Sequence, residues 1–277
     1  MNLDLSGKRA LVCGSTQGIG HAAAVELANL GCTVTLAARN WNKLTNVLEH
    51  LPRPHGQVHD GVIADFEHPQ EAADAVSAKL REMATAKEAG KEGGKEVAAC
   101  YHILLNNTGG PPGGPLAEAT LAQLAFAEQT QLHSAHLLMQ QVVPGMKLAG
   151  YGRIINVIST SVKQPIAGLG VSNTVRGAVA NWAKTLAAEL GAFGITVNNV
   201  LPGATLTERH HNLVAAKAKQ SGAAEHEIEK QLLAAIPAGR FGTAQELAAA
   251  IAFLASPAAG YINGVNLPVD GGRTLCL

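Results

Sequence analysis

The sequence predicts an α/β fold in a single domain spanning residues 1–277, built as a doubly wound parallel sheet of about seven strands. Short apolar runs alternate with amphipathic or Ala-rich segments along almost the whole chain, which is typical of parallel strands joined by crossover helices. The first apolar run ends in a glycine-rich turn that opens a helix. The composition, 47% hydrophobic and 15% charged, is that of a sheet covered on both faces by helices.

Apolar and β-branched runs give the positions of the strands, and Ala- and Leu-rich periodic segments give those of the helices. Gly31 ends the first helix, and Pro202 with Gly203 ends the sixth strand, because both residue types interrupt regular structure. The predicted strands are 9–13, 32–38, 57–64, 101–105, 153–158, 195–201 and 264–269. The predicted helices are 19–30, 41–51, one from 68 past 80, two within 116–148, 171–190 and 244–254.

Two segments depart from this alternation. Residues 85–97 are low in complexity and mixed in charge, with no apolar face, so we interpret them as a solvated helix extension and a charged loop insertion. A partner-binding tail is the alternative. Residues 205–236 are polar and helical, as expected of a substrate lid. The charged run from Glu208 to His211, near the start of this lid, is expected to help select the substrate.

The glycine-rich turn after the first strand is the leading candidate for a binding site. Gly14 allows the sharp turn, Gly18 lets the backbone approach a phosphate, and Gly20 lets helix and strand pack closely. A strand, a tight glycine turn and a helix N-terminus form the arrangement that holds a dinucleotide pyrophosphate. The spacing is G-x-x-x-G-x-G, and an ordinary strand-to-helix turn is the alternative interpretation.

Charge and cysteine content narrow the classes of partner. The chain has no net formal charge and a pI near 7.2, so it offers no basic field for nucleic acid or an anionic membrane. No apolar run reaches the roughly 18 residues that span a bilayer. The amino-terminal residues lack an apolar signal region, and a cytoplasmic protein is expected. We expect reduced thiols and no metal site, because no metal or redox spacing relates Cys13, Cys32, Cys100 and Cys276.

Several motifs occur in one order, and with them the chain resembles the short-chain dehydrogenase/reductase family, in the style of the 3-oxoacyl reductases, over nearly its whole length. The resemblance implies a Rossmann-type fold, a nicotinamide dinucleotide, a small-molecule substrate and a homo-oligomer, either a tetramer or a dimer. The matching segments are the 14–20 turn, Asp65, Asn-Asn-Thr-Gly at 106–109, Gly-Arg-Ile-Ile-Asn-Val at 152–157, Pro202-Gly203, Gly-Arg-Phe-Gly at 239–242, and 261–272.

The end of the second predicted strand favours NADP(H) over NAD(H). Ala38 stands where an acidic residue would hold the ribose 2′-hydroxyl of NAD, and Arg39 follows with a planar fork suited to a 2′-phosphate. Ser15 and Asn40 are expected to add hydrogen bonds. The candidate cofactor-binding residues are Gly14, Ser15, Gln17, Gly18, Ile19, Gly20, Arg39, Asn40, Asp65, Phe66, Asn107, Gly109, Arg176, Pro202, Gly203 and Thr205.

The catalytic positions implied by the resemblance differ from the family's pattern. That pattern places a Tyr thirteen residues after a Ser on the fifth strand, and a Lys four residues after the Tyr. Ser159 occupies the Ser position, but the next two positions hold Ser172 and Arg176, and Gln131 stands in place of an Asn. An aliphatic hydroxyl is a far weaker acid than a phenol, and a guanidinium does not readily exchange protons. The family's usual proton transfer is therefore not expected, although Arg176 can still hold the nicotinamide ribose.

Other residues are candidates for the missing proton donor. Lys163 lies near the expected mouth of the site, and the lid carries Thr207, His210 and His211. Histidine titrates in the required range, but all of these side chains also fit a solvated surface. The three tyrosines are far from the expected site in sequence, and we interpret them as structural.

Three functions remain open from the sequence. The first is an NADP(H)-dependent oxidoreductase acting on a ketone/alcohol pair, with an atypical proton donor. The second is a non-catalytic NADP-binding sensor or a structural partner of an active relative. A lyase or isomerase built on the same fold is a third, weaker class, because a fold does not determine a reaction.

Overall fold

The computed structural model describes residues 1–89 and 100–276. Within them, seven parallel strands form one sheet in the order β3-β2-β1-β4-β5-β6-β7, which confirms the predicted fold class. The order reverses between β1 and β4, and ligands bind at such a switch point in open α/β sheets. The strands are β1 Arg9–Cys13, β2 Thr33–Ala38, β3 Asp60–Ile63, β4 Ile103–Asn106, β5 Gly152–Val157, β6 Ile195–Pro202 and β7 Asn266–Val269.

Helices cover both faces of the sheet. The lid predicted at 205–236 contains α7 and α8, and the charged segment predicted at 85–97 begins inside α3 and otherwise lies outside the described residues. None of the helices in the described part of the chain is long and apolar enough to cross a lipid bilayer. The helices are α1 Gly18–Asn29, α2 Trp41–His50, α3 Pro69–Ala89, α4 Leu121–Glu128, α5 Ser134–Ala149, α6 Gly170–Leu190, α7 Glu208–Ser221, α8 Glu225–Ala234 and α9 Ala244–Ala255.

The core has two main layers, one on each face of the sheet. Neighbouring strand residues contribute to opposite layers, because successive side chains of a strand point to opposite faces. Leu104 lies in the layer that includes residues of α5 and α6, whereas Leu105 lies in the layer that includes residues of α1 and α9. Both leucines are fully buried, so the continuous apolar runs of the sequence correspond to strands buried on both faces.

The predicted start of the third strand is wrong, because β3 begins at Asp60 and not at Gln57. The His59 ring takes the place of strand backbone here, as its Nδ1 accepts a hydrogen bond from the Val34 N–H at 3.0 Å. The Gln57 side chain instead donates to the Ala28 carbonyl at 2.8 Å. The His59 side chain thus satisfies a β2 amide that a longer strand would have paired through its backbone.

The two helices predicted within 116–148 are present as α4 and α5. A π-helical turn, Gln129–His133, joins α4 directly to α5. The Ser134 hydroxyl donates to the Phe66 carbonyl at 2.9 Å, and the Gln129 amide donates to the Glu67 carbonyl at 2.8 Å. The π turn is therefore held against the loop that follows β3. Such turns frequently occur at functional sites.

A row of four asparagines crosses four neighbouring strands, from the last residue of β4 to the first residue of β7. Asn106, Asn156, Asn199 and Asn266 are paired in register on β4, β5, β6 and β7. Each side-chain amide donates to the next oxygen, at 2.8 Å, 2.8 Å and 2.7 Å in turn. Buried polar side chains stabilise a fold when they are hydrogen-bonded in this way, so the row fixes this end of the sheet.

We expect Asn156→Ala to lower the free energy of unfolding by about 2–6 kcal/mol, because two buried partners lose their hydrogen bonds at about 1–3 kcal/mol each. Asn266→Ala removes a single bond at the half-buried end of the row, so its expected cost is about 1 kcal/mol. Urea unfolding of both variants measures the difference. Equal losses at the two positions would contradict a continuous hydrogen-bonded row.

Candidate functional site

The glycine turn after β1 is closed by backbone and side-chain contacts that leave no room for a β-carbon. A Cβ added to Gly20 would collide with the Gly14 carbonyl oxygen and lie 2.6 Å from Asn107 Nδ2. A Cβ added to Gly14 would collide with the Asn107 carbonyl oxygen, and the φ of Gly14 is +59°. Asn107 Nδ2 donates to the Gly14 carbonyl at 3.3 Å. Gly14, Gly20 and Asn107 therefore bring β1, α1 and the end of β4 together at one point.

The N-terminus of α1 opens from this turn. Gln17 is exposed at the N-cap and its side chain forms no capping hydrogen bond, so the first amides of the helix have no side-chain partner there. Gly18 has a φ of +56°, and Ile19 packs against the core. The Thr207 methyl lies 3.5 Å from the position of a Gly18 Cβ. The start of the lid thus faces unsatisfied helix amides, a combination that suits a phosphate.

The end of β2 presents a guanidinium at the surface. Arg39 is exposed, and its Nη1 lies 2.8 Å from Glu67 Oε1. Asn40 is also exposed, and its Oδ1 caps α2 by accepting from the Lys43 N–H at 3.0 Å. Ser15 lies elsewhere, because it is fully buried and its hydroxyl is directed at the Ala37 carbonyl, 3.4 Å away. The structure therefore groups Arg39 with Asn40 but not with the Ser15 hydroxyl.

The remaining candidate cofactor residues follow the carboxyl ends of the strands. Asp65 is half-buried and its Oδ1 accepts from the Glu67 N–H at 3.0 Å, while Phe66 is part of the core. Gly109 is exposed, with open space where a Cβ would lie. The Thr205 hydroxyl donates back to the Gly203 carbonyl at 3.3 Å. Pro202 ends β6 immediately before Gly203.

A small cavity lies where β4 and β5 end, between the π turn and α6. Its volume of about 10 Å³ is close to the minimum for one water molecule. Neither polar atom of the Gln131 side chain has a hydrogen-bond partner, and neither does the Nε of Arg176. Unpartnered buried polar groups are costly, so the cavity suits a polar guest. Two candidates from the sequence meet here, in a lining that includes Asn106, Thr108, Gln131, Asn156, Val157 and Arg176.

Arg176 is buried with 7% of its surface exposed, and its Nη1 donates to the Val157 carbonyl at 2.5 Å. Burial, together with the smaller effect of repulsion from Arg209, lowers the pKa of Arg176 to about 9. Arg209 reaches back from the first turn of α7 and packs its guanidinium on Gly110, with Nη1 2.5 Å from the position of a Cβ there. Burial also lowers the pKa of Arg209, although part of its side chain contacts solvent.

The two candidate serines occupy the ends of consecutive elements. Ser159 follows β5, and its Oγ accepts from the Ser161 N–H at 3.0 Å, so its own O–H is free to donate. Ser172 lies in the first turn of α6, one turn before Arg176, and is 6% exposed. Lys163 is half-buried near Ser159, and its carbonyl accepts from the Cys276 thiol at 3.4 Å.

The buried candidate donor His210 and two of the three tyrosines have structural environments. Tyr101 is fully buried in the core, the Tyr151 hydroxyl donates to the Ala255 carbonyl at 2.7 Å, and Tyr261 is fully exposed. His210 is buried, its ring centroid lies 4.4 Å from that of Phe241, and burial lowers its pKa. These positions agree with the interpretation of the tyrosines as structural.

Three contacts of candidate residues emerge only from the structure. Arg209 approaches Gly110, Thr207 approaches Gly18, and Glu67 pairs with Arg39. The sequence placed Thr207 and Arg209 in the lid, but no local pattern shows which lid residues reach the sheet. The Glu67 contact joins residues 28 positions apart. Each is a tertiary contact without a sequence signal.

Comparison with known proteins identifies the family of the chain. Residues 14–274 match the family model for enoyl-(acyl carrier protein) reductase. The chain is 29% identical to the NADPH-dependent reductase BacG of Bacillus subtilis (strain 168), covering 97% of this chain and 98% of that protein. It is 31% identical to gluconate 5-dehydrogenase of Gluconobacter oxydans (strain 621H), with 99% and 97% coverage.

A solved structure extends the match to three dimensions. The L-sorbose reductase of Gluconobacter frateurii, in complex with NADPH and L-sorbose, superimposes with a TM-score of 0.88 at 29% identity and 100% coverage of both chains. The family match begins at the glycine turn and spans almost the whole seven-stranded sheet. The protein therefore belongs to the short-chain dehydrogenase/reductase family.

Proposed function

We propose that this protein is an NADP(H)-dependent oxidoreductase acting on a ketone/alcohol pair. The observation that carries the proposal is the close approach of Gly14, Gly20 and Asn107, which shapes a cradle that only glycine permits. The cradle adjoins an α1 N-terminus without a side-chain cap, and both features fit a dinucleotide pyrophosphate. Membership of an oxidoreductase family supports the same assignment.

The preference for NADP(H) rests on the charge at the end of β2. Ala38 offers no carboxylate to a ribose hydroxyl, whereas Arg39 is exposed and able to turn from Glu67 to a 2′-phosphate. The pair with Glu67 is exposed, and exposed ion pairs contribute only about 0–1 kcal/mol. The Bacillus subtilis relative is an NADPH-dependent reductase, and the Gluconobacter frateurii enzyme was solved with NADPH. Both relatives support the preference.

The dinucleotide, when bound, supplies a hydride to the carbonyl carbon, and the carbonyl oxygen then becomes negative. We assign the stabilisation of this oxygen to Ser159 and Ser172, whose hydroxyls donate hydrogen bonds, and to the positive charge of Arg176. Fixed donors and charges in a desolvated site lower such barriers without transferring a proton themselves. Because an aliphatic hydroxyl is too weak an acid to protonate the oxygen, the proton comes from solvent or from Lys163, the nearest candidate in sequence to Ser159.

One observation favours a second candidate function, a non-catalytic NADP-binding sensor or structural partner. None of the three tyrosines has the environment of a catalytic acid, since one is in the core, one is hydrogen-bonded to backbone and one is fully exposed. A protein that keeps the cradle and lacks a strong acid would bind the dinucleotide without turnover. The oxidoreductase remains the better supported of the two because Ser159, Ser172 and Arg176 keep polar groups at three positions that the family resemblance assigns to the reaction.

We also propose that the protein is a cytoplasmic homo-oligomer. None of the four cysteines, all of which lie in the described part of the chain, forms a disulfide, as expected of a reducing compartment. An apolar groove of about 570 Å³ lies between α5 and α6 and is lined by Leu132, His136, Leu137 and Trp182 among others. A second copy of the chain is the proposed occupant, in a dimer or tetramer.

Arg39→Ala tests the coenzyme assignment. We expect the Kd for NADPH to rise about tenfold or more, because a charge-assisted hydrogen bond contributes about 1.5–3 kcal/mol, while the Kd for NADH stays within about twofold. Arg53→Ala removes the same charge from another exposed arginine and is expected to change neither value. Fluorescence titration with both coenzymes measures these constants. An equal loss for NADPH and NADH would remove Arg39 from the 2′-phosphate site.

Ser172→Ala tests the catalytic assignment. With a panel of ketones and alcohols followed at the nicotinamide absorbance, we expect kcat/KM to fall about 10²-fold, the usual effect of losing one oxyanion donor. The Kd for NADPH should not change. Thr174→Ala removes an exposed hydroxyl from the same helix and serves as the matched control. Tight NADPH binding by the unmodified protein with no turnover anywhere in the panel would establish the non-catalytic alternative instead.

A further inference from the structure

Two arginines approach the same loop from opposite elements. Arg176 of α6 shares the small cavity with Thr108, and Arg209 of α7 packs its guanidinium on Gly110, two residues further along this loop. They are close enough for the charge of Arg209 to lower the pKa of Arg176. Two positive charges therefore lie beside the loop that follows β4, that of Arg176 from α6 and that of Arg209 from α7.

Neither guanidinium has a negative partner among residues 1–89 and 100–276. The ion pairs of this part of the chain involve Arg9, Arg39, Lys79, His133 and Arg240, but not Arg176 or Arg209. Arg176 is more than nine-tenths buried, and its Nε forms no hydrogen bond. Buried charges are normally paired, because an isolated charge in a desolvated site is costly. Arg176 is therefore a buried charge without a negative partner in the described part of the chain, and Arg209, which is exposed, adds a second unpaired positive charge beside the same loop. Together the two charges suit a negative ligand.

Arg176 and Arg209 lie apart from the residues proposed to bind the phosphates of the dinucleotide, so their ligand is a different group. The proposed pyrophosphate site is formed by the amides of α1 and by Thr207 opposite Gly18, and the 2′-phosphate site by Arg39. Gly110 lies three residues beyond Asn107, the residue that closes on Gly14, so Arg209 contacts the loop past the cradle. Arg209 also belongs to the lid, which covers the substrate.

We propose that Arg176 and Arg209 together bind a carboxylate of the substrate, so that the protein acts on oxo-carboxylates and their hydroxy-carboxylate products. The proposal rests on the proposed oxidoreductase function and names its substrate class. A hydride from the coenzyme and one proton from solvent add across the C=O bond, and the carboxylate remains unchanged. Guanidinium is suited to the role because its planar fork donates two parallel hydrogen bonds to a carboxylate.

Matched probes test the charge requirement directly. Pyruvate, acetoacetate and levulinate place a ketone one, two and three bonds from a carboxylate carbon, and their methyl esters are neutral counterparts. Each is titrated calorimetrically into the complex of the unmodified protein with NADP⁺, in a low-salt buffer free of phosphate and sulfate. We expect at least one carboxylate to bind about tenfold or more tightly than its ester, as charge-assisted hydrogen bonds allow.

Arg209→Gln tests whether Arg209 itself, and not another positive charge of the lid, binds the carboxylate. We expect this variant to remove the preference for the carboxylate and to leave the Kd for NADPH within about threefold. Arg209→Lys, which keeps the charge but not the fork, is expected to retain part of the preference. Lys217→Gln removes one positive charge from an exposed position of the same helix and should leave both constants unchanged.

Two results would overturn the proposal without affecting the oxidoreductase assignment. One is that no carboxylate in the panel binds better than its ester while neutral ketones are still reduced. The other is that Arg209→Gln raises the Kd for NADPH about tenfold in the absence of any probe, which would make the pyrophosphate the ligand of Arg209. Failure of the unmodified protein to bind NADPH would instead remove the proposed function and the carboxylate site with it.

Discussion

The site depends on one steric constraint, the contact of Gly20 with the Gly14 carbonyl and the Asn107 amide. A side chain as small as alanine does not fit there, so the contact sets the distance between α1, β1 and the end of β4. Those elements flank the switch point of the sheet, where strand order reverses and a crevice opens. Two lid residues contact the edge of this crevice, Thr207 at Gly18 and Arg209 at Gly110.

Two kinds of buried polar side chain lie beside this crevice: some are fully hydrogen-bonded and support the sheet, and others have polar atoms without partners. The asparagine row is hydrogen-bonded from Asn106 to Asn266, which ties β4, β5, β6 and β7 together as a rigid support. Gln131 and Arg176 line the same cavity as Asn106, yet both have polar atoms without partners. The π turn that carries Gln131 is held against the β3 loop by hydrogen bonds from Gln129 and Ser134, so the buried Gln131 amide is fixed in position. Buried polar atoms without partners are expected where a ligand completes the hydrogen bonding.

The sequence predicted what depends on local periodicity and missed what depends on distant contacts. Buried strands and the glycine turn leave local signals, so the α/β class and the Gly14–Gly20 loop were predictable. The start of β3 was not, because the His59 ring replaces strand backbone. The π turn has no distinct period in sequence, and the approach of Arg209 to Gly110 brings together residues 99 positions apart in the chain. Whether Gln131, Ser159, Ser172 and Lys163 act in the reaction stays a prediction.

The most direct test of the account is the binding of NADPH by Gly20→Ala and Gly177→Ala. Gly177 also lies in a helix, but a Cβ there meets nothing within 4 Å. Binding is measured by fluorescence titration and by the NADPH-induced rise in Tm, since a ligand that binds only the folded state stabilises it. We expect Gly177→Ala to bind NADPH like the unmodified protein. Folded Gly20→Ala is expected to bind NADPH about tenfold or more weakly, with little rise in Tm. A folded Gly20→Ala variant that binds NADPH as tightly as the unmodified protein would contradict the account.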